Sequence, residues 1–403
     1  FTGCAPGSDP RTDGTSATNS PYDTDRTHLA TGRSRNSVPG QKVGARAPTR
    51  EEGERGLVAD NFNVGGGLSG RGTGGSSGAG VRAAAARIAG AVHRTALIPV
   101  PPRWTPPGVE LHLKLECTQV AGAFKARGAR HFLSRSLEAA ERGGSPLRGV
   151  VTYSSGNHGR AVAEVAASSG IPALITVPDH VDRSKAAAIE ASGAELVLAG
   201  PTSESRRVRA LEIAAERGWT VVPPFDHDWI IDGQGTATRE ILEDLPGLTD
   251  LWVPVGGGGL AAGAARALAD RSGSVRLHTV EPRHAAAYAR SAAEGRRLRL
   301  EGCCSMADGL LPLEIGVLNW EALQRYGARP VMVEEESILE SLRLLHGELG
   351  IGPEPSGAVS CTPLLHPAAG AEPEPGVHVA IVSGGNVDPA RLHSLLTTGR
   401  EPS

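Results

Sequence analysis

At 403 residues and 39 % hydrophobic content the chain is long enough for two or more domains around a sizeable core, and with 3 % aromatics that core has to be built mainly from Ala, Val, Leu and Ile. Its 41 basic and 44 acidic side chains leave a net charge of -3, which excludes a polyanion binder and gives no reason to expect nucleic acid or a membrane surface as partner. Five cysteines (Cys4, Cys117, Cys303, Cys304, Cys361) without a C-x-x-C pair, no apolar run near the roughly 18 to 20 residues of a membrane span, and no secretory h-region point to a reducing, cytoplasmic setting.

Residues 1–80 are rich in Gly, Ser, Thr, Arg and Asp and end in GGGLSGRGTGGSSGAG, the composition of a disordered extension ending in a flexible tether. Order is expected from Val81, where VRAAAARIAGAVHR has apolar residues at helical spacing, and Pro99, Pro101 and Pro102 then impose an extended connection. The next stretch, KLECTQVAGAFKARGA (Lys114 to Ala129), follows a strand marked by Leu111, Leu113 and Leu115; a loop is expected over Thr118 to Gly122 and a helix from Phe124 to about Gly143. Lys125 then sits at a helix start. There the helix dipole and partial shielding from water disfavour the charged amine and leave more of it as the free nucleophile that Schiff-base chemistry needs. Taken alone, the stretch reads more readily as a solvated helix lysine, because single lysines near helix starts are common and mostly exposed.

From Gly149 strands and helices alternate: GVVTYS, a helix over Arg160 to Ala167, PALITVP, a helix over Arg183 to Ala191, AELVLAG, a helix over Ser205 to Arg217, then WTVVPP. That pattern predicts a parallel sheet with helical crossovers. Its first βα turn is SSGNHG (Ser154 to Gly159), at a strand end where backbone N–H groups and hydroxyls can hold a carboxylate. After Gly233 a helix is expected around Thr238 to Asp244, then the buried-type strand LWVPV, then Gly256, Gly257, Gly258 and Gly259 before a helix from about Leu260. Four glycines between strand and helix leave amides unobstructed at a helix N-terminus, an anion cradle sized for a phosphate. No Gly-Lys-Ser/Thr follows, and Ala262 stands where a dinucleotide fingerprint has its third glycine. EPSGA (Glu354 to Ala358) and IVSGGNVD (Ile381 to Asp388) complete the inventory.

In their order, KLECTQVAGAFKARGA, SSGNHG, DGQGT (Asp232 to Thr236), PVGGGGLAAG, VEP (Val280 to Pro282), ADG (Ala307 to Gly309), EPSGA and SGGNVD resemble the serine/threonine dehydratases and serine racemases, fold-type II pyridoxal-phosphate enzymes, over about Val81 to Leu396. The resemblance implies an α/β fold like that of the tryptophan synthase β chain, with two three-layer domains and the cofactor in the cleft between them: a large domain over 81–148 and 223–396, and a small one over 149–222 that closes on substrate. It implies that Lys125 binds pyridoxal phosphate covalently and Phe124 packs on it. Asn157 would meet the ring hydroxyl, Gly256, Gly257, Gly258, Gly259 and Leu260 the phosphate, and Ser383 the pyridine nitrogen, with Glu354 near the ring. Ser154, Ser155, Asn157 and His158 would receive the substrate carboxylate. A homodimer and a small amino-acid substrate are implied as well.

The expected reaction is β-elimination from a β-hydroxy amino acid such as L-threonine or L-serine to a 2-keto acid and ammonia, with Lys125 taking the Cα proton; a hydroxyl at Ser383 makes the ring a weaker electron sink than a carboxylate would. Ser155 matches the serine of racemases that serves the opposite face of the substrate, so a serine racemase or a threo-3-hydroxyaspartate dehydratase is the alternative, and a cofactor-binding protein without lyase activity is the alternative of another class. The chain departs from the family at Ala121 and Ala123, where hydroxyls are usual, and at Tyr153, bulkier than the usual residue. It keeps Glu281 of the racemase-type cation site, but Ala287 replaces a carboxylate, so no metal is expected. It ends soon after SGGNVD, which leaves no room for a regulatory domain, and control by isoleucine is not expected.

Overall fold

The computed structural model describes residues 78–181, 183–271, 275–366 and 373–401. The disordered extension expected over 1–80 lies outside the described residues as far as residue 77, and its far end is corrected: helix α1 (Ala79–Ile88) begins before Val81 and buries Val81, Ala84 and Ile88. Strand β1 (Leu97–Pro99) pairs antiparallel with β2 (Val109–Lys114), so part of the presumed extended connection is an edge strand. Proline is tolerated there because an edge N–H need not join the ladder. Two 3-10 turns, Glu116–Thr118 and Val120–Gly122, lead from β2 to helix α2 (Lys125–Glu141).

The expected alternation follows as β3 (Val150–Thr152), α3 (Asn157–Ser168), β4 (Ala173–Val177), α4 (Arg183–Glu190), β5 (Glu195–Leu198), α5 (Ser203–Arg217) and β6 (Thr220–Val221). These strands form a four-stranded, wholly parallel sheet in the order β5-β4-β3-β6. Helix α3 starts at Asn157, not at Arg160, so Asn157 and His158 belong to its first turn. Thr202 caps α5 by accepting from the Ser205 amide, and Gly218 ends it in the left-handed region.

Beyond it run α6 (Asp228–Asp244), β7 (Asp250–Pro254), α7 (Gly259–Leu268), β8 (Arg276–Pro282), α8 (Ala287–Glu294), α9 (Val317–Tyr326), β9 (Arg329–Val333), α10 (Glu335–Gly347), α11 (Pro355–Ala358), α12 (Thr362–Leu365), β10 (Gly376–Ile381) and α13 (Pro389–Thr398). The second sheet has the order β1-β2-β10-β7-β8-β9, parallel except for β1. Helix α6 is far longer than the segment expected at Thr238 to Asp244. Gly233 and Gly235 read as helix breakers, yet they sit inside α6 because other backbones pass against it: a Cβ on Gly233 would stand 2.7 Å from Gly128 Cα, and one on Gly235 2.6 Å from the Gly263 carbonyl oxygen. Close helix packing here outweighs the roughly 1 kcal/mol that each glycine costs a helix.

The core is aliphatic, as the composition requires. Along β7 alternate residues go to opposite faces: Leu251 and Val253 join Leu260, Ala264 and Leu268 of α7, whereas Trp252 joins Ile338, Leu342 and Leu345 of α10. Helix α2 contributes Ala126, Ala129, Phe132 and Leu133 to one core with Val150, Ile175 and Val177 of the smaller sheet. Beneath its first turn lies a buried ionic network. Arg127 donates to both Glu116 oxygens at 2.8 Å and to Glu240, and Lys114 donates to Glu240 at 2.6 Å and to the Thr95 carbonyl at 2.8 Å. Lys114, Glu116 and Arg127 are fully buried, so each charge requires its partner.

Candidate active site

Parallel strands deliver their C-terminal ends to one edge of a sheet, and ligands bind in the crevice there. The loops after β3, β7 and β10 and the start of α2 border one cleft of about 870 Å³. Every site residue named from the sequence lines it: Phe124, Lys125, Ser154, Ser155, Asn157, His158, Gly256 to Gly259, Leu260, Ser383 and Glu354.

Lys125 begins α2, and its amine donates to the Pro224 carbonyl at 2.8 Å and sits 5.1 Å from the centre of the Phe124 ring. Burial, uncompensated by a carboxylate, pushes its pKa down to about 8, so a sizeable fraction is neutral amine near physiological pH. His158 is held neutral: burial first, and the neighbouring Lys125 second, push its pKa down to about 3. Its Nε2 faces the Val222 carbonyl at 3.2 Å, whereas Nδ1 is buried with no hydrogen-bond partner among the described residues.

At the N-terminus of α3 the Ser154 hydroxyl accepts from the Gly156 amide, while the half-buried Ser155 hydroxyl has no partner among the described residues. The free amides of this first turn give the cleft wall a partial positive charge suited to a carboxylate. Asn157 donates to Glu354 Oε1 at 2.6 Å and accepts from Asn386 Nδ2 at 2.8 Å. Sequence reasoning missed Asn386, Arg160, Pro224 and Phe225; SGGNVD contains the first, but nothing local marks its partners.

Gly256, Gly257 and Gly258 carry amides without an acceptor among the described residues, at the N-terminus of α7. A Cβ on Gly257 would fall within 3.0 Å of three Phe225 ring atoms. Gly258 has φ +92°, which L side chains avoid. Gly257 and Gly258 thus have to be glycine, and the loop lines the cleft with bare amides at a helix N-terminus. The hydroxyl of Ser383, buried just past the end of β10, reaches only the Ser356 carbonyl among the described residues, at 3.5 Å. Amine, bare amide loop and weakly engaged hydroxyl fit the aldehyde, phosphate and ring nitrogen of pyridoxal phosphate.

Among the described residues no group of His, Cys, Asp and Glu side chains gathers to hold a divalent cation at Glu281. Both of its oxygens accept, at 2.8 Å, from the Tyr288 and Ala289 amides at the start of α8, and Ala285, Ala286 and Ala287 bring no side-chain ligand. Burial pushes its pKa up to about 8 against those two hydrogen bonds. Among the described residues no helix is long and apolar enough to cross a membrane.

Comparison with known proteins agrees with this geometry. The family model described as pyridoxal-phosphate dependent enzyme matches residues 88–384. A serine racemase of Oryza sativa subsp. indica is 35 % identical over 311 residues, 76 % of this chain and 90 % of that protein. An L-threonine ammonia-lyase of Thermotoga maritima is 35 % identical over 309 residues, 76 % of this chain and 75 % of that protein. The structure of maize serine racemase superposes with a TM-score of 0.74 at 33 % identity, covering 80 % of this chain and 97 % of that one. With a lysine, a glycine cradle and a facing hydroxyl in one cleft and these matches along its length, the chain belongs to the pyridoxal-phosphate dependent enzymes.

Proposed function

We propose that this chain is an ammonia-lyase that dehydrates a β-hydroxy amino acid such as L-threonine or L-serine. The observation that carries the reading is the Lys125 amine, with its pKa lowered to about 8, in the same cleft as the helix N-terminus that can hold a substrate carboxylate. When bound, pyridoxal phosphate draws electrons from the bonds at Cα and acidifies the Cα proton. Lys125 and Phe124 would hold the cofactor, the amides of Gly256 to Leu260 its phosphate, Asn157 its ring oxygen, and Ser383 its ring nitrogen. A neutral hydroxyl at Ser383 cannot keep that nitrogen protonated as a carboxylate would, which favours prompt loss of a β-substituent over transamination.

Ser154, Ser155, Asn157 and His158 then orient the substrate carboxylate, and Lys125, free of any carboxylate partner, takes the Cα proton. As the Cα–H and Cβ–O bonds break, a Cα–Cβ double bond forms and the hydroxyl leaves as water, its added proton balanced by the one that Lys125 removed, so that the substrate loses one H and one OH in all. Hydrolysis of the released enamine gives the keto acid and ammonia. The division into a large domain over 81–148 and 223–396 and a small one over 149–222, and a homodimeric assembly, are part of the same proposal.

Two observations favour neighbouring readings. The hydroxyl of Ser155, without a partner among the described residues, is suited to proton return on the face opposite Lys125, which a racemase needs. Arg206 lines the cleft with only the Thr202 carbonyl and Ser203 hydroxyl for company and no acidic partner among the described residues, so a second carboxylate, as in threo-3-hydroxyaspartate, has a cation to meet. One experiment separates the three: proton NMR time courses in D2O of cofactor-loaded protein with L-serine, L-threonine and threo-3-hydroxyaspartate. Keto acid signals that vanish in Lys125→Ala support a lyase, of L-serine or L-threonine if those substrates react fastest and of threo-3-hydroxyaspartate if it does. Loss of the Cα proton signal without keto acid, abolished in Ser155→Ala, supports the racemase. No change with any substrate refutes both.

A further inference from the structure

The two asparagine amides in the cleft are not independent of each other. Arg160, in the first turn of α3, donates to Asn386 Oδ1 at 2.8 Å. Asn386 Nδ2 donates to the Ala121 carbonyl at 2.7 Å and to Asn157 Oδ1 at 2.8 Å, and Asn157 Nδ2 donates to Glu354 Oε1 at 2.6 Å. A guanidinium has no acceptor, a backbone carbonyl has no donor, and a carboxylate only accepts. Both ends of the chain are therefore fixed in sense, and so is every amide between them. Turning Asn386 over would set its NH2 against Arg160 and its oxygen against the Ala121 carbonyl; turning Asn157 over would set oxygen against the Glu354 carboxylate.

We propose that Arg160 and Asn386 are positioning residues that force Asn157 to present an N–H, not an oxygen, to the cofactor. Asn157 Oδ1 is taken by Asn386 and one Nδ2 proton by Glu354, which leaves the other Nδ2 proton for the cleft. The group it meets must accept, as the ring oxygen of pyridoxal phosphate does. This rests on the reading of Asn157 as the ring-oxygen contact.

A second observation shows what else Asn386 holds. Ala121 has φ +58°, the single positive φ among the described non-glycine residues, and Asn386 clamps its carbonyl four residues before Lys125. Strain of this kind persists only where surrounding contacts over-determine it. The relay also links the first turn of α3, beside the smaller sheet, to the loop after β10 of the larger one.

The test is the dissociation constant of pyridoxal phosphate, measured by absorbance and fluorescence titration of the full chain at low and high salt, with melting temperatures as a check on folding. Arg160→Lys keeps a donor-only group and should bind like wild type. Arg160→Glu and Asn386→Asp present an acceptor where a donor is needed. They should bind about tenfold or more weakly, the scale of a hydrogen bond to a charged group, with a displaced cofactor absorption band. High salt screens a pure charge effect and should leave this loss in place. If Arg160→Glu matches Arg160→Lys at high salt while Asn157→Ala binds weakly, the relay is overturned and the reading of Asn157 stands. If Asn157→Ala binds like wild type, that reading falls and the relay with it.

Discussion

Substituting the glycine loop one position at a time should give a graded loss of cofactor affinity that follows the space at each site. Gly257→Ala drives a methyl into the Phe225 ring, under 3.0 Å from three of its atoms. Overpacking of that kind costs about 1–3 kcal/mol, or roughly 5- to 150-fold in the dissociation constant of pyridoxal phosphate if the loop must shift to bind. Gly258→Ala meets Ile315 at 2.9 Å and must also hold φ +92°, which adds about 1–2 kcal/mol of backbone strain. Gly256→Ala and Gly259→Ala find their nearest neighbours at 3.1 Å, so a shift of a few tenths of an ångström suffices. At Gly259, the first residue of α7, the gain in helix propensity offsets part of that cost. Apo protein titrated with cofactor should therefore rank the variants with Gly257 and Gly258 far more sensitive than Gly256 and Gly259. Phe225→Ala should relieve Gly257→Ala in a double-mutant cycle and leave Gly258→Ala unrelieved, because only the first defect is a collision with that ring. Wild-type affinity in Gly257→Ala, or no relief from Phe225→Ala, would refute the assignment of this loop as the phosphate cradle.

The Lys125 amine gives a prediction in pH. Since burial lowers its pKa to about 8, the rate at which apo protein captures pyridoxal phosphate should rise about tenfold per pH unit below that value and level off above it. A stopped-flow profile still rising at pH 10 would mean an ordinary exposed lysine. The ionic network under α2 gives a prediction in stability. Arg127→Met strands the fully buried Glu116, so the urea midpoint should fall by an amount worth about 3–5 kcal/mol, and a change under about 1 kcal/mol would mean that the network is solvated.

Alternation of strands and helices from Gly149 to Val222, and the glycine run after β7, could be read directly because each is a local pattern: a period of two, a period of 3.6, and residues that free the backbone between them. Those same rules misplace the start of α6. Gly233 and Gly235 interrupt a helix by propensity, and only contact with Gly128 and Gly263, distant in sequence, turns them into packing residues. Helix α3 is misjudged at its start for a related reason, since Asn157 and His158 look like loop residues and serve as a first turn. Arg160 and Asn386 lie 226 positions apart, so no spacing rule joins them. The buried charges did leave a trace. Lys114 stands in a strand flanked by Leu113 and Leu115, and a strand covered on both faces admits a charge only if a partner is waiting.

Two lysines in one stretch show how the fold separates structure from chemistry. Lys114 and Lys125 both leave bulk water, and both donate to a backbone carbonyl at 2.8 Å, Thr95 in one case and Pro224 in the other. Lys114 also has Glu240 at 2.6 Å, so its charge is matched and the residue is committed to holding β2 against α6. Lys125 has no carboxylate partner among the described residues, its neighbour His158 is neutral, and the helix that it begins points its positive end the same way. Burial then acts on it unopposed, and the amine is released for bonding. Glu354, a carboxylate that lines the cleft with it, is hydrogen-bonded to Asn157. What makes Lys125 a candidate nucleophile is therefore less its position at a helix start than its burial where no carboxylate among the described residues matches its charge.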